Sequence, residues 1–353
     1  MKIAQVAPPW LPVPPRGYGG IEAVMSSLTE GLVARGHEVT LFATGDSVTK
    51  AKLSYVYEKA LGNDGSLKNN PYTQMFQIYP AFIRSNEFDI IHVHGEGQAM
   101  FLADLIKTPV VHTIHGTLTE GEQNPDKRKV YQMFTKQNFV SISNAQREGL
   151  PNLNYVATVY NGIELSQFTI GDGSGNYVAW LGRITPKKGV VEAIHAAKAA
   201  GIPIHLAAFV DPVDQAFFDA EIKPLIDGSS VQFVGQLNHE ERSLFLQKAK
   251  AFLFPIKWQE PFGLVMVEAM AAGTPVVAFN RGSVPEIVDN GKNGCVTEDE
   301  AGMVEALKKL LGMDSASYMA MRAACRTHAT DHFTIEKMVD GYEEVYKKLT
   351  NLR

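Results

Sequence analysis

The chain reads WQEPFGLVMVEAMAAGTP over residues 258–275. Pro261 fits the first turn of a helix, where its missing N–H is not needed, and Gly273 is a typical helix end. The helix between them is short and otherwise apolar, and Glu268 is its one carboxylate. A carboxylate there is costly unless it finds hydrogen-bond donors, which a ribose or sugar diol or a buried cation would supply. Glu260 lies just before the same helix and is expected to face the same cavity.

Short apolar, β-branched runs lie along the rest of the chain, and strands buried on both faces of a sheet read this way. The first half has such runs at residues 3–7, 39–43, 90–93, 110–114, 140–142 and 156–160. After the glycine-rich segment 171–176 they recur at 177–181, 204–209, 231–234, 251–254, 275–279 and 295–297. Helical patterns separate them at 20–36, 190–200, 239–250 and 301–311. Strands alternating with helices predict parallel sheets.

The length of 353 residues exceeds what one compact core usually holds, so two domains are expected. We predict one α/β domain over residues 1–165 and a second over residues 166–335. A C-terminal helix over residues 336–353 is expected, and it can cross back to the first domain. Ligands of open α/β sheets bind beyond the carboxyl ends of the strands, so two facing sheets would enclose one site.

The composition excludes several classes of protein. A hydrophobic content of 45% and a charged content of 20% are typical of a globular protein. The net charge of −5 gives little attraction for nucleic acid. The two cysteines lack CxxC spacing, which argues against a zinc site or a disulfide framework and favours a cytoplasmic location. The N-terminal run reads as a buried strand rather than a signal peptide.

A proline-rich loop after the first strand ends in RGYGGIE over residues 16–22. Gly19 and Gly20 precede a helix, where exposed N–H groups and the helix dipole favour an anion such as a diphosphate. The alternative is a tight turn that needs positive φ. Glu22 stands where the dinucleotide-binding pattern GxGxxG has its third glycine, which argues against NAD.

A second glycine-bounded loop reads GRITPKKG over residues 182–189, just after a predicted strand. Arg183 can hold a phosphate bidentately and Lys188 can hold it as a point charge. A solvated surface loop is the alternative.

Taken in order, these segments resemble glycosyltransferase family 4, retaining enzymes of the GT-B fold. The resemblance covers the Gly19-Gly20 loop, the loop over 182–189, the pair Glu260 and Glu268, and GTP at 273–275; NGI at 161–163 also matches. It implies two Rossmann-like parallel-sheet domains. It also implies transfer of a hexose-type sugar from a UDP- or GDP-sugar to a hydroxyl acceptor, without a metal or other cofactor.

By this resemblance, Arg183 and Lys188 hold the donor diphosphate, Glu260 contacts the transferred sugar and Glu268 binds the ribose. Further donor contacts are implied for Gly235, Leu237, Phe262, Gly263 and Leu264. The implied chemistry is front-face substitution, in which the departing diphosphate oxygen helps to deprotonate the acceptor hydroxyl.

His115, at a strand end in HTIHG over residues 112–116, lies where the family places a histidine near the reacting sugar. We therefore predict a role in the site for His115, and a structural role for His92 and His94. The three histidines form no clear metal-ligand set, and the Asp-x-Asp motif that holds a divalent ion in another transferase architecture is missing.

Lys127-Arg128-Lys129 precedes several apolar residues. A helix on anionic lipid is one interpretation, and a solvated face or acceptor-site wall is the one that we favour. No run reaches the ~20 apolar residues that span a bilayer, so any membrane contact is expected to be peripheral.

Three other functions fit parts of the pattern. A sugar-nucleotide epimerase would share the architecture but needs a clear acid/base set. An NAD-dependent dehydrogenase would need the missing glycine pattern. A non-catalytic sugar-nucleotide-binding protein would have less need of both Glu260 and Glu268.

Overall fold

The computed structural model describes residues 1–17, 19–62, 65–68, 70–95, 97–122 and 124–351. The chain forms two compact units, of which the first contains Met1–Gly162 with Ile335–Arg353 and the second contains Ile163–Thr334. The sequence placed this boundary after residue 165. Tyr18 of the glycine loop, and Leu352 and Arg353 of the predicted C-terminal helix, lie outside the described residues.

Strands and helices alternate along most of the chain. The strands are β1 Lys2–Val6, β2 Glu38–Phe42, β3 Lys52–Ser54, β4 Ile90–Val93, β5 Val110–Ile114, β6 Asn138–Ser141, β7 Tyr155–Thr158, β8 Val178–Arg183, β9 Ile204–Phe209, β10 Val231–Gly235, β11 Phe252–Phe254, β12 Val276–Phe279 and β13 Gly294–Thr297. The helices are α1 Gly20–Ala34, α2 Gly65–Lys68, α3 Pro71–Ile83, α4 Met100–Ala103, α5 Pro125–Met133, α6 Asn144–Glu148, α7 Val190–Ala200, α8 Gln215–Phe217, α9 His239–Lys248, α10 Leu264–Ala271, α11 Val284–Ile287, α12 Glu300–Leu311, α13 Ser315–His332 and α14 Ile335–Thr350.

The first unit is built on a parallel sheet with the strand order β3-β2-β1-β4-β5-β6-β7. Helix α1 buries Met25, Leu28 and Leu32, at the helical spacing that the sequence shows. Helix α14 packs against α1, β4 and β7, and its Tyr342 and Tyr346 are fully buried. The strand order changes direction between β1 and β4, which is where open sheets of this kind bind ligands.

The second unit has a parallel sheet with the order β10-β9-β8-β11-β12-β13. Its hydrophobic core includes Trp180, Ile194, Leu206, Leu253 and Leu307, which are buried. In this sheet the order changes direction between β8 and β11. The loops that follow these two strands therefore lie at the position where a ligand of this unit is expected.

The predicted fold class is confirmed, because each unit is an α/β domain on a parallel sheet. Among the described elements, the short strand β3 and the helices α2, α3, α4, α6, α8, α11 and α13 had no sequence prediction. Among the described residues, no helix combines the length and the apolar character that a membrane crossing requires.

Candidate functional site

The loop after β8 carries the two predicted phosphate-binding cations. Arg183 is the last residue of β8, and its Nε lies 3.5 Å from Oδ2 of Asp214. Lys188 ends a short 3-10 turn, and Gly189 then adopts φ 69° before α7 begins. A Cβ at Gly189 would lie 1.8 Å from the Pro255 carbonyl oxygen. Only glycine therefore lets the Lys188 loop approach the segment that leaves β11.

The carboxylate of Glu260 meets Lys188 in this second unit. Oε2 of Glu260 accepts hydrogen bonds from Lys188 Nζ at 2.6 Å and from Trp258 Nε1 at 3.0 Å. The Lys188 ammonium also lies 5.4 Å from the ring centroid of Trp258 and 5.8 Å from that of Phe254. Glu260 is only 8% exposed. A cation, a carboxylate and an aromatic wall thus converge at the predicted position.

The loop after β12 fixes the backbone of Glu260. Gly282 has φ 55°, and a Cβ there would lie 2.3 Å from the Glu260 carbonyl oxygen. Ser283 donates its backbone N–H to that oxygen at 2.9 Å and its hydroxyl to the Phe262 carbonyl at 2.8 Å. Neither residue was predicted to belong to the site.

Helix α10 begins later than the sequence predicted. Pro261 was expected in the first helical turn, but α10 starts at Leu264, with Gly263 as its N-cap residue at φ 82°. That expectation was wrong because Gly263 takes a left-handed conformation, which ends the preceding loop and starts the helix afresh.

Glu268, in α10, pairs with Arg242 of α9. The Arg242 Nη1 donates to Glu268 Oε1 at 2.8 Å, so the buried cation left open as an alternative by the sequence is present. The pair is incomplete: among the described residues, buried Glu268 Oε2 and buried Arg242 Nε have no hydrogen-bond partner. An unpaired buried acceptor is costly, so Glu268 Oε2 is a place where a ligand hydroxyl would be stabilised.

The remaining predicted donor contacts lie at two chain turns of the second unit. Gly235 ends β10 with φ 77°, and Leu237 is half-buried just before α9. Phe262 is 2% exposed and its ring packs edge-on against Phe333 with centroids 5.8 Å apart. The Phe262 side chain is therefore part of the core, whereas Leu264 is half-buried at the start of α10.

The glycine loop of the first unit places Gly19 as the N-cap of α1 and exposed Gly20 as its first residue. Gly19 has φ 169°, which is extended backbone rather than a positive-φ turn, so the alternative considered from the sequence is wrong. Glycine is needed because a Cβ would lie 2.7 Å from Pro15 and 2.8 Å from Leu11. The loop thus packs closely on itself before presenting the start of α1.

His115 directly follows β5 and lies beside His94. Its Nε2 lies 2.9 Å from His94 Nδ1, and His94 Nε2 lies 2.8 Å from Gln5 Oε1. Burial of the ring lowers the pKa of His115 to about 4, and burial lowers the pKa of His92 and His94 well below the ordinary value. These rings are neutral at physiological pH. Among the described residues, no group of three or more His, Cys, Asp or Glu side chains is placed to hold a metal ion.

Two members of the basic cluster on α5, Arg128 and Lys129, have partners within their own unit. Arg128 Nη1 donates to the carbonyl oxygens of Leu118 and Gly149. Lys129 Nζ lies 3.1 Å from Asp126 Oδ1. Arg128 therefore holds two loops together, which weakens the lipid-binding interpretation and favours a local structural one.

Sequence reasoning missed the partners of the predicted charges: Trp258, Arg242 and Asp214. Trp258 stands inside the quoted motif, two residues before Glu260, and an indole N–H that close to a carboxylate is a usable signal. Arg242 and Asp214 are distant in sequence from Glu268 and Arg183, and their pairing depends on the sheet order.

Two family models match the chain. The model described as Glycosyltransferase Family 4 matches residues 18–167, and the one described as Glycosyl transferases group 1 matches residues 164–330. The chain is 28% identical to a phosphatidyl-myo-inositol mannosyltransferase of Mycolicibacterium smegmatis, over 96% of this chain and 92% of the relative.

Two solved structures show the same fold. A sucrose-phosphate synthase from Thermosynechococcus elongatus superposes with a TM-score of 0.82 at 20% identity, over 100% of both chains. The Anabaena protein HepE, in complex with UDP and glucose, superposes with a TM-score of 0.77 at 18% identity, over 99% of this chain and 100% of that one. Two parallel-sheet α/β domains and these neighbours identify the GT-B architecture. The chain therefore belongs to the group 1 glycosyltransferases of glycosyltransferase family 4.

Proposed function

We propose that this glycosyltransferase moves a hexose-type sugar from a UDP- or GDP-sugar to a hydroxyl acceptor, with retention of anomeric configuration and without a divalent metal. The observation that carries the proposal is the pairing of Lys188 with Glu260 at the point where the second sheet changes direction. A cation suited to a diphosphate lies beside a carboxylate suited to sugar hydroxyls. UDP is the first nucleotide to test, because HepE is described in complex with UDP and glucose.

Lys188 has two competing anionic partners in this proposal. Its ammonium contacts Glu260 at 2.6 Å, and a donor diphosphate would compete for the same ammonium. As Lys188 moves toward the diphosphate, Glu260 keeps the indole N–H of Trp258 and gains acceptor capacity for a sugar hydroxyl. Donor binding thereby orients Glu260 toward the sugar that moves.

The leaving diphosphate gains negative charge as the glycosidic bond breaks. Arg183 and Lys188 supply positive charge to it, and the first amides of α1, at Gly19 and Gly20, supply N–H groups and the positive end of a helix dipole. A diphosphate oxygen then accepts the proton of the acceptor hydroxyl on the face from which it departs. Fixed charges of this kind replace a metal ion in the proposal.

The ribose and the reacting sugar take the remaining polar groups. Glu268 Oε2 accepts a ribose hydroxyl, while Oε1 stays with Arg242. Backbone groups at Gly235, Leu237, Gly263 and Leu264 contact the base, phosphates and sugar. Neutral His115 contacts the transferred sugar or the attacking hydroxyl.

The experiment is a donor panel of UDP- and GDP-hexoses, with and without alcohol acceptors, read by release of nucleotide diphosphate. We expect acceptor-dependent release with at least one donor, no loss in EDTA, and a first product whose NMR spectrum shows the anomeric configuration of the donor. Interconversion of donor epimers without acceptor would support the epimerase instead, and binding without turnover of any donor would support a sugar-nucleotide-binding protein. Loss of activity in EDTA that a divalent ion restores, or an inverted product, would contradict the corresponding part of the proposal.

A further inference from the structure

A continuous chain of hydrogen bonds runs through the interior of the first unit, from the end of β5 to α14. Its successive links measure 2.9, 2.8, 2.9, 2.6, 2.7 and 2.9 Å. The members, in order, are His115, His94, Gln5, Tyr346, His92, Thr113 and Tyr342. All of them except His115 are at most 2% exposed. The chain contains no Asp, Glu, Lys or Arg.

Neutral histidines give this chain a single direction. Burial holds the pKa of each of its three histidines below the ordinary value, so each ring carries one N–H and one bare nitrogen. A ring that donates on one side must accept on the other. Reversing one link therefore reverses its neighbours, and one link of known direction settles the rest.

The amide of Gln5 sets that direction. Its nitrogen can only donate, and it lies 2.9 Å from the Tyr346 hydroxyl oxygen. Tyr346 therefore accepts from Gln5 and donates its only proton to its other neighbour, His92 Nδ1, at 2.6 Å.

The amide of Gln5 transmits this choice to the candidate site. With its nitrogen toward Tyr346, its oxygen faces His94 Nε2 at 2.8 Å and can only accept, so His94 carries its proton on Nε2. His94 Nδ1 is then bare and accepts from His115 Nε2 at 2.9 Å. His115 is left with a bare Nδ1.

We propose that Gln5 is a positioning residue that fixes His115 as its Nε2–H tautomer, so that His115 presents Nδ1 as a hydrogen-bond acceptor to a ligand hydroxyl. The tautomer assignment stands on the buried chain alone. The ligand contact rests on the function proposed above. Glutamine suits the position because it is neutral and carries a donor and an acceptor at opposite sides of one rigid group.

The test reads the tautomer directly. Full-length protein is labelled with ¹⁵N-histidine, and two-bond ¹H–¹⁵N correlations show which ring nitrogen of His115 carries the proton; loss of a signal in His115→Asn assigns it. We expect the Nε2–H tautomer in the unsubstituted protein and a mixture of both tautomers in Gln5→Leu. An Nδ1–H tautomer in the unsubstituted protein, or an unchanged tautomer in folded Gln5→Leu, would overturn the inference.

Two tyrosines of α14 provide a matched pair if Gln5→Leu fails to fold. Tyr346→Phe removes the acceptor of the Gln5 N–H and should shift the His115 signals. Tyr342→Phe removes a hydroxyl of equal burial at the far end of the chain and should leave them unchanged. Equal shifts in both variants, or none in Tyr346→Phe, would contradict the role of Gln5.

Kinetics separate this inference from the proposed function. If His115 contacts a ligand, folded Gln5→Leu should lower turnover about tenfold, the rate equivalent of one hydrogen bond, with little change in the donor KM. A tautomer shift without any change in turnover would confirm the positioning of His115 by Gln5 and contradict the ligand contact of His115.

Discussion

The buried polar groups that join β1, β4, β5 and α14 in the first unit differ in kind from the polar groups that follow the strands of the second unit. The first set is a neutral chain of histidines, hydroxyls and an amide, and the second consists of the ion pairs Lys188–Glu260 and Arg242–Glu268. Moving a neutral polar group out of water costs little free energy if the group finds a hydrogen-bond partner, so such groups can be buried completely. Charged groups stay at the margin of the core, where their side chains are 10–21% exposed.

This difference indicates a division of work. Ion pairs at a partly open position can exchange one partner for a ligand, and Glu268 Oε2 has an unused acceptor position. A buried neutral chain cannot exchange partners one at a time, so it sets orientation. Substitutions in the second unit should therefore change binding and chemistry most, and substitutions in the first should change tautomers and acid stability.

The largest expected effect comes from the cations of the β8 loop. Lys188→Ala and Arg183→Ala should each lower turnover by roughly 10²–10³-fold, because one lost donor to developing charge typically costs ~2.7–4 kcal/mol. Lys187→Ala is the matched control, because Lys187 lies in the same turn as Lys188. Among the described residues, the contact of its ammonium is with the Trp258 ring, whose centroid is 5.8 Å away. It should keep near-normal turnover. Circular dichroism must show that the variants fold, and near-normal turnover of folded Lys188→Ala would contradict the phosphate assignment.

The two glutamates should separate kinetically. Glu260→Gln should lower kcat and kcat/KM together, because a contact with the moving sugar strengthens in the transition state. Glu268→Gln should chiefly raise the donor KM, because the ribose does not change during the reaction. Steady-state kinetics with direct donor titration measures both. Equal losses of turnover in the two variants, with unchanged donor affinity, would show that Glu268 is not a ribose ligand.

The sequence predicted strands and left-handed glycines well where the signal is local. Buried strands are continuous apolar runs, so the runs predicted at 177–181 and 110–114 coincide closely with β8 and β5. Glycines at Gly189 and Gly263 mark close approaches or left-handed backbone, which are also local requirements.

Contacts between distant segments could not be predicted in the same way. Lys188 and Glu260 are 72 residues apart, and their contact depends on β8 and β11 being neighbours. The seven-residue chain in the first unit joins β1, β4, β5 and α14, so no single segment shows it. His92 and His94, for which the sequence favoured a structural role, are buried, and their hydrogen-bond partners are spread from Gln5 to Tyr346.

Helix α3 was missed because its buried face mixes polar and apolar side chains. Gln74 and Gln77 are buried, whereas Tyr72 and Phe76 are 67% and 58% exposed. A periodicity search looks for a single apolar face, so it does not detect a helix whose buried face is partly polar. Pro261 was misplaced for a simpler reason, since Gly263 overrides the preference of proline for a first turn.

A smaller effect is expected for the indole that holds Glu260. Trp258→Phe keeps an aromatic ring beside Lys188 but removes the N–H that Glu260 Oε2 accepts at 3.0 Å. Turnover should fall roughly 10- to 100-fold, because hydrogen bonds to charged groups contribute roughly 1.5–3 kcal/mol. The same substitution in a Glu260→Gln background should cost much less if the two side chains act together. Additive losses in that double-mutant cycle would show that Trp258 acts independently of Glu260.

The smallest effect concerns stability in mild acid, and it distinguishes the units without any substrate. Burial lowers the pKa of His112 and His115 to about 4, and it lowers the pKa of His92 and His94 well below 6.5. Between about pH 6.5 and pH 4 the unfolded first unit binds protons that the folded unit does not. The contribution of these histidines to the free energy of unfolding is therefore complete above pH 6.5, and it is lost as the pH falls from 6.5 to 4.

Hydrogen exchange at pH 7 and pH 5, corrected for intrinsic rates, checks this expectation. Amides of β4 and β5 should lose more protection than those of β8 and β11. In the second unit, burial also lowers the pKa of His205 and of His328, but these two histidines are only partly buried. His112→Gln should reduce the pH dependence in the first unit, since it removes one group that takes up a proton on unfolding. His195→Gln is the control, because the His195 side chain is 49% exposed, and it should change nothing. Equal loss of protection in both units would mean that the buried histidines do not control the acid response.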